Sequence, residues 1–266
     1  MGAPPETLTP ARTTIVFLHG TRLTAAMWAP QIAALGDEFD CLALDLPGHG
    51  TRSTERFSLA GAADAVAELI ATQDGGQAIV VGWSLGGYVA MELASRWPNR
   101  VTGLVLAGAT ADPVGPWYVP YTALAMALRV IPTSWLDLLH GWFFRRRYPP
   151  SIAEPILAAG FNYRAGSQAV RAVIGERFRP RLARYPGRTL IINGESDLLF
   201  RLAERSFAGA ATDPSRVLIR GSGHRTNLDQ PDAFTAAIRL FARDRQSSSP
   251  ARRGSRRILG GPTQPA

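Results

Sequence analysis

A serine at a sharp turn is the strongest chemical feature of this sequence. Residues 82–86 read Gly-Trp-Ser-Leu-Gly and follow the β-branched apolar run 79–81. A G-x-S-x-G turn between a buried strand and a helix lifts the serine hydroxyl out of the sheet, where a base can reach it. Backbone passes close to such a turn, and Gly82 and Gly86 leave the room that a Cβ would fill. The pattern predicts that Ser84 is a nucleophile.

A serine nucleophile needs a base, and the chain offers four histidines. His19 and His49 precede the serine in glycine-containing loops, and His140 lies in a Trp/Phe-rich segment. His224 follows the apolar run 217–219 and a short Gly/Ser linker, which places it at the carboxyl end of a late strand. His224 is therefore predicted to be the base. The alternative is a helix-capping or surface histidine.

The orienting acid is expected at the same edge of the sheet. The apolar run 190–193 predicts a buried strand, and Gly-Glu-Ser-Asp follows it. Asp197 is preferred to Glu195, because the turn brings the fourth residue back over the sheet. The alternative is that Asp197 only caps a helix that starts near Leu198. The order Ser84, Asp197, His224 along the chain is the order found in one particular hydrolase fold.

From about residue 13 to about residue 243 the chain resembles the α/β-hydrolase superfamily. Besides the elbow and the triad, the resemblance is carried by His19-Gly20 after a strand at 15–18, by Asp45-Leu46-Pro47-Gly48-His49-Gly50 after a strand at 41–44, and by Gly223-His224 before Asp229-Gln230-Pro231. It implies an α/β-hydrolase fold with a mostly parallel central sheet of about six strands, helices on both faces and an inserted helical cap. The N-terminal hairpin of many members is expected to be missing, since residues 1–12 leave no room for it.

The resemblance also implies roles around the nucleophile. The backbone N–H groups of Thr21 and Leu85 would form an oxyanion hole, with one donor at a helix N-terminus and the other in the loop after the first strand. His19 and His49 are expected to be structural. Arg22 stands where a small or apolar residue is common. It is interpreted either as a ligand for a substrate carboxylate or phosphate, or as the partner of an acid at the rim.

The chain is expected to divide into a core of residues 1–111 and 187–245, a helical cap of residues 112–186, and a disordered Arg/Ser/Pro-rich tail of residues 246–266. Helical stretches of the cap are expected at 121–130, 135–144, 151–159 and 168–178. Aromatic residues are candidates to contact an acyl substrate, or simply to hold the cap on the sheet. The named candidates are Trp83, Trp117, Tyr121 and Trp142.

The composition and the motifs limit which ligands and partners the chain is expected to bind. All 29 basic residues are arginine, and the formal net charge is +8. No aromatic interleaving in the basic tail favours specific nucleic-acid binding. No histidine/cysteine/aspartate cluster has the spacing of a metal site, and no Gly-rich dinucleotide loop follows the first strand, so no metal and no cofactor are expected. No apolar run is long enough to span a membrane, and a cytoplasmic location is expected. The oligomeric state is left open.

The predicted function is that of a serine hydrolase. It would cleave a small or medium carboxylic ester, a lactone or a thioester through an acyl-enzyme on Ser84. Carbon–carbon bond hydrolysis and perhydrolysis use the same residues and stay open as alternatives. A small-molecule receptor without turnover on the same fold is a second alternative, and an interaction module that binds through the basic tail is a third. A serine at the elbow argues against epoxide hydrolases and haloalkane dehalogenases, which carry an aspartate there.

Overall fold

The computed structural model describes residues 12–244 and, as backbone alone, residues 256–259. Seven strands form one parallel sheet in the order β2-β1-β3-β4-β5-β6-β7. The strands are β1 (Thr14–Leu18), β2 (Asp40–Leu44), β3 (Ala78–Trp83), β4 (Val101–Ala107), β5 (Arg188–Gly194), β6 (Asp213–Ile219) and β7 (Arg256–Leu259). The predicted parallel sheet of about six strands is confirmed in β1–β6, and β7 adds a short strand at its edge.

Eleven α-helices are present in the described residues. They are α1 (Ala29–Leu35), α2 (Leu59–Ala71), α3 (Leu85–Arg96), α4 (Tyr118–Val130), α5 (Thr133–Arg147), α6 (Pro150–Ala159), α7 (Tyr163–Val173), α8 (Arg179–Arg184), α9 (Leu198–Ala210), α10 (Thr226–Asp229) and α11 (Pro231–Arg243). Because five of them, α4–α8, lie between β4 and β5, the chain inserts its helical segment at the predicted place.

The central strands separate two hydrophobic cores. Along β3, Val80 packs among residues of α2 and α3, whereas Ile79 and Val81 pack on the opposite face with residues of α1 and α11. Side chains alternate between the two faces of a strand, so a strand covered on both faces must be apolar at every position. All six residues of β3 are buried. This double coverage explains why the β-branched run in the sequence marks a central strand.

Parallel pairing brings the carboxyl ends of the strands to one edge of the sheet. In the register, Leu18 of β1 lies beside Gly82 of β3, and Ile192 of β5 lies beside Val217 of β6. The loops that follow β1, β3, β5 and β6 therefore leave from the same edge. In open parallel sheets this edge is where ligands bind.

The inserted helices do not all lie on the outside of the sheet. Helix α7 packs against α4, and the Ser167 hydroxyl donates to the Ala125 carbonyl at 2.8 Å between them. Helix α5 packs against α6, which in turn contacts the turn before α1. Helix α8, by contrast, packs against α3 and α9, beside the sheet. Helices α4–α7 thus pack mainly on one another, and α8 lies among the helices that pack on the sheet.

Two details differ from the sequence expectation. The helix expected at 168–178 is α7, which begins at Tyr163 and ends at Val173, because the chain turns at Gly175 with φ +85°. Four residues of the segment expected to be disordered, Arg256–Leu259, form β7 along β6. That expectation is wrong for these four residues, because the open edge of β6 offers them backbone partners. The rest of the tail lies outside the described residues.

The outer face of the cap is apolar. Its most exposed large side chains on α4 and α5 are Val119, Met126, Val130, Trp135, Leu138, Leu139 and Trp142. In the part of the chain that the structure describes, no single helix is both long and apolar enough to cross a bilayer. Residues 115–130 and 133–147 reach that length and composition only as a pair, across a bend of 114°.

Candidate active site

Ser84 occupies a strained backbone position between β3 and α3. Its φ of 54° and ψ of −115° are costly for a residue with a side chain, and such strain is held by surrounding structure. The Ser84 N–H donates to the Ala107 carbonyl of β4 at 2.8 Å, which fixes the turn. A Cβ on Gly82 would meet the backbone of Gly86, and one on Gly86 would meet the Leu18 carbonyl. The two glycines are thus required for the reason that the sequence suggested.

The three predicted triad residues meet at the carboxyl edge of the sheet. His224 Nε2 lies 3.1 Å from Ser84 Oγ, and His224 Nδ1 lies 2.9 Å from Asp197 Oδ2. Asp197 is buried, whereas the His224 side chain is about one-third exposed. The carboxylate accepts from Nδ1–H, so Nε2 is the free nitrogen that faces the serine hydroxyl. This arrangement can remove the proton from Ser84 and store the resulting charge on the imidazole.

Three further residues hold the histidine in place, and the sequence did not identify this function. The Trp83 indole N–H donates to the His224 carbonyl at 2.6 Å, and its ring lies 5.0 Å from the imidazole. On the other side, Phe200 of α9 stacks on His224 at 4.8 Å with an interplanar angle of 12°. A Cβ on Gly108, just after β4, would lie 2.9 Å from the imidazole. The imidazole is thus confined from three directions, which preorganises it for proton transfer.

Asp197 stands at the N-terminus of α9 without capping it. Its side chain makes no capping hydrogen bond to the helix, and it binds His224 instead. Glu195, the other acid of the turn, is exposed and accepts from the Gly221 N–H at 3.1 Å. The geometry therefore favours Asp197 as the orienting acid over both alternatives considered from the sequence.

The two predicted oxyanion donors border the serine from different elements. Leu85 is the first residue of α3, so its N–H has no acceptor within the helix. Thr21 lies in the loop after β1, and its hydroxyl donates to the Gly166 carbonyl of α7 at 3.1 Å. This loop packs closely on the elbow, since a Cβ on Gly86 would also meet the His19 carbonyl. The assignment of the two N–H groups to an oxyanion hole stays a prediction.

His19 and His49 brace the loops and stay neutral. His19 donates from Nδ1 to the Gly20 carbonyl at 2.8 Å and accepts the Leu46 N–H on Nε2 at 2.9 Å. His49 in the same way accepts the Arg22 N–H on Nε2 at 3.2 Å. Burial, followed by the charge of His49, lowers the pKa of His19 to about 3. Each ring uses both nitrogens in the fold, which leaves no nitrogen for chemistry on a substrate.

The aromatic candidates occupy different places. Tyr121 of α4 is buried, and its hydroxyl pairs with the Tyr88 hydroxyl of α3 at 2.5 Å. Trp117 and Trp142 are 45% and 63% exposed on the cap. Among the described residues, neither tryptophan makes a ring contact or hydrogen bond to the triad. Trp83 and Tyr121 thus lie at the site and at the cap–core contact respectively, and the two cap tryptophans lie at the surface.

A strained serine elbow with a Ser–His–Asp relay, on a parallel sheet covered by helices, defines a serine hydrolase of the nucleophile-elbow type. A family model described as "Alpha/beta hydrolase family" matches residues 15–237. The chain belongs to the alpha/beta hydrolase family and is an enzyme of that fold.

The chain is also similar to individual known proteins. It is 38% identical over 249 residues to a pimeloyl-[acyl-carrier protein] methyl ester esterase of Nitrosomonas europaea, across 84% of this chain and 93% of that protein. A protein of the same name from Nitrosospira multiformis is 26% identical over 247 residues, 86% of this chain and 94% of its own length. Among solved structures, an enol-lactonase from Burkholderia xenovorans superposes with a TM-score of 0.76 at 24% identity, covering 90% of this chain and 94% of that one. At that identity the likeness shows the fold alone.

Proposed function

We propose that this protein hydrolyses a small or medium carboxylic ester through an acyl-enzyme on Ser84. The observation that carries the proposal is the continuous relay from Ser84 Oγ to His224 Nε2 at 3.1 Å and from His224 Nδ1 to Asp197 Oδ2 at 2.9 Å. A hydroxyl activated in this way, at a strained turn beside two free backbone donors, is suited to attack an acyl carbon.

In the first half of the reaction, Ser84 Oγ attacks the ester carbonyl carbon while His224 Nε2 takes the hydroxyl proton. The N–H groups of Thr21 and Leu85 bind the oxyanion that forms, and removal of one such donor typically costs about 2.7–4 kcal/mol in the barrier. Asp197 holds the imidazole tautomer and stabilises its cation. The ester C–O bond then breaks, and Nε2–H gives its proton to the departing alcohol.

In the second half, water attacks the acyl carbon on Ser84, and His224 takes the proton from that water. The bond from the acyl carbon to Ser84 Oγ breaks, the carboxylic acid leaves, and the proton returns to the serine oxygen. The steps use the three triad side chains, two backbone N–H groups and water. The imidazole rotates little between the two halves of the reaction, because the rings of Trp83 and Phe200 pack against it.

The relatives support the proposed substrate class. The two curated relatives named above are esterases of a methyl ester on a pimeloyl chain. We extend this to the present chain as cleavage of an ester with a small alcohol. Helices α4–α7 of the proposed cap, residues 112–186, would cover the acyl group, over a core of residues 1–111 and 187–245. Trp83 and Tyr121 support that site, whereas Trp117 and Trp142 have no contact that assigns them to the acyl group.

The test is the hydrolysis of p-nitrophenyl esters of increasing acyl length by the wild type and by Ser84→Ala. We expect turnover by the wild type and a loss of about 10⁶-fold in kcat in the variant, the size seen when a serine hydrolase loses its nucleophile. Ser53→Ala, at an exposed serine, is the matched control and should keep the wild-type rate. Equal rates in the wild type and Ser84→Ala, or no turnover of any ester by the wild type, would contradict the proposal.

A further inference from the structure

Two arginines adjoin the catalytic machinery. Arg22 follows Thr21 in the loop after β1, and Arg225 follows His224 in the loop after β6. Both arginines therefore lie on the loops that carry the predicted oxyanion donor and the base. Arginine is the side chain best suited to bind carboxylate or phosphate oxygens, because its planar guanidinium offers several N–H donors in a fixed arrangement.

The backbone of Arg22 is fixed from two sides. Its N–H donates to His49 Nε2 at 3.2 Å, and its carbonyl accepts the Asn162 N–H at 2.9 Å. Its φ is +60°, one of only two positive values at non-glycine residues in the described chain, and the other belongs to Ser84. Strained backbone held in this way is typical of functional sites. The structure thus maintains Arg22 in one costly conformation under helix α7.

The side chain of Arg22 is half-buried, and one of its buried nitrogens has no partner. Its Nε is shielded from solvent and has no hydrogen-bond partner. No salt bridge forms between this guanidinium and an acid in the described part of the chain, which removes the second interpretation offered by the sequence. Burying an unsatisfied charged donor is costly, and native proteins rarely keep one without a ligand or a function.

Arg225 lies over an aromatic face instead of an acid. Its guanidinium carbon is 4.3 Å from the centre of the Phe143 ring and 5.8 Å from that of Phe144. The nearest acid along the chain, Asp229, is already occupied by the Tyr148 hydroxyl at 2.9 Å and by Arg147 at 3.1 Å. Within the described residues, Arg225 has no salt bridge of its own.

The two guanidinium groups influence each other electrostatically. Burial, followed by the positive charge of Arg225, lowers the pKa of Arg22 to about 10. The pKa of His140 on α5 is likewise lowered by burial and then by the charges of Arg22 and Arg225. The Phe144 ring under Arg225 lies 5.8 Å from the ring of Phe161, and the next residue, Asn162, donates its N–H to the Arg22 carbonyl. Two guanidinium groups without a salt bridge in the described residues, one of them on aromatic rings, favour an anion.

We propose that Arg22 and Arg225 form an anion subsite beside the catalytic serine, which selects esters that carry a second, negatively charged group. The anion is a carboxylate or a phosphate joined to the scissile ester by a short linker, because one arginine adjoins an oxyanion donor and the other adjoins the base. This inference rests on the proposed function and names the substrate class of that site.

The test compares the release of p-nitrophenol from mono-p-nitrophenyl glutarate, which carries a free carboxylate, and from its methyl ester, in which that carboxylate is neutralised. We expect the wild type to favour the charged substrate by at least about tenfold in kcat/KM, as a charge-assisted hydrogen bond would give. Arg22→Gln and Arg225→Gln should each lower this ratio about tenfold, mainly through KM for the charged substrate. Arg225→Lys, which keeps the charge, should retain part of the preference. Arg171→Gln, at an exposed arginine of α7, is the control and should leave the ratio unchanged.

Inhibition by glutarate and by propyl phosphate, measured on the neutral ester, shows which anion the subsite takes. Stronger inhibition of the wild type than of Arg225→Gln by either compound supports the subsite. Equal rates on the charged and neutral esters in the wild type, or an equal loss on both in the arginine variants, would overturn it while ester hydrolysis stands. If no ester is cleaved, calorimetric binding of glutarate that disappears in Arg225→Gln would retain the subsite and reject the hydrolase.

Discussion

At the scale of single residues, the triad was predictable because each member follows a strand. Ser84, Asp197 and His224 each lie in the turn or loop that follows an apolar run, and parallel strands bring such positions to one edge. The residues that confine the imidazole were not predictable. Phe200 lies on α9 and Gly108 follows β4, so both are far from His224 in the sequence. Nothing in their local sequence indicates that they lie beside His224. Local pattern therefore predicts that these three side chains meet, but it does not predict the residues that surround the imidazole.

A substitution at Gly108 should separate catalysis from stability. In Gly108→Ala, the new Cβ would lie 2.9 Å from the imidazole and 3.2 Å from Asp197 Oδ2, so we expect His224 to shift and kcat to fall at least about tenfold. The positive φ of 53° adds a cost of about 1–2 kcal/mol to folding.

The matched control for this variant is Gly115→Ala. Gly115 has a similar φ of 56° and nothing within 4 Å of its added Cβ. Gly108→Ala should lose at least as much stability in urea denaturation as Gly115→Ala, because it adds a steric clash to the shared cost of the positive φ, and only Gly108→Ala should lose activity. Equal kcat values in the two variants would show that Gly108 has no role in positioning the base.

At the scale of elements, the loops after β1 and β2 depend on each other through a histidine. His19 ends the first strand region and accepts the Leu46 N–H of the second loop at 2.9 Å. The sequence suggested a structural role from the family motif, and the contact supplies the physical reason.

Element boundaries were harder to predict. Helix α7 was placed five residues too late, because its first turn, Tyr163–Gly166, carries no clear start signal while Gly175 ends the helical region.

The His19 contact makes stability dependent on pH. Its pKa of about 3 in the fold lies below the value near 6.5 of an unfolded histidine. Between these values the unfolded chain binds more protons, so the free energy of unfolding falls as the pH falls through this range. We expect the urea midpoint to decrease from pH 7 to pH 5, and the decrease to be smaller in His19→Asn.

The protonation state of His19 can also be measured directly. The imidazole resonances of His19 in NMR spectra should show a neutral ring at pH 5 in the folded protein. Titration of His19 with a midpoint near 6.5 would contradict the account, whatever the stability of the variant. This measurement does not depend on whether His19→Asn folds.

At the scale of the whole molecule, the fold class was predictable and the edge of the sheet was not. Five motifs in a fixed order indicate the family, whereas β7 forms from a Ser/Pro/Arg-rich segment whose composition favours disorder. The cap was predicted as an insertion between β4 and β5. Its assembly was not predictable, because the contact of α8 with α3 and the electrostatic influence of Arg225 on Arg22 depend on the tertiary structure.

The central claim is that Ser84 alone forms the covalent intermediate, and an active-site-directed alkyl fluorophosphonate tests it most directly. Intact-mass spectrometry after brief labelling should show one adduct per chain, which peptide mapping assigns to Ser84. Ser84→Ala should take up no label, and His224→Ala should label far more slowly because the hydroxyl lacks its base. An adduct on another residue, or equal labelling of the wild type and Ser84→Ala, would contradict the account.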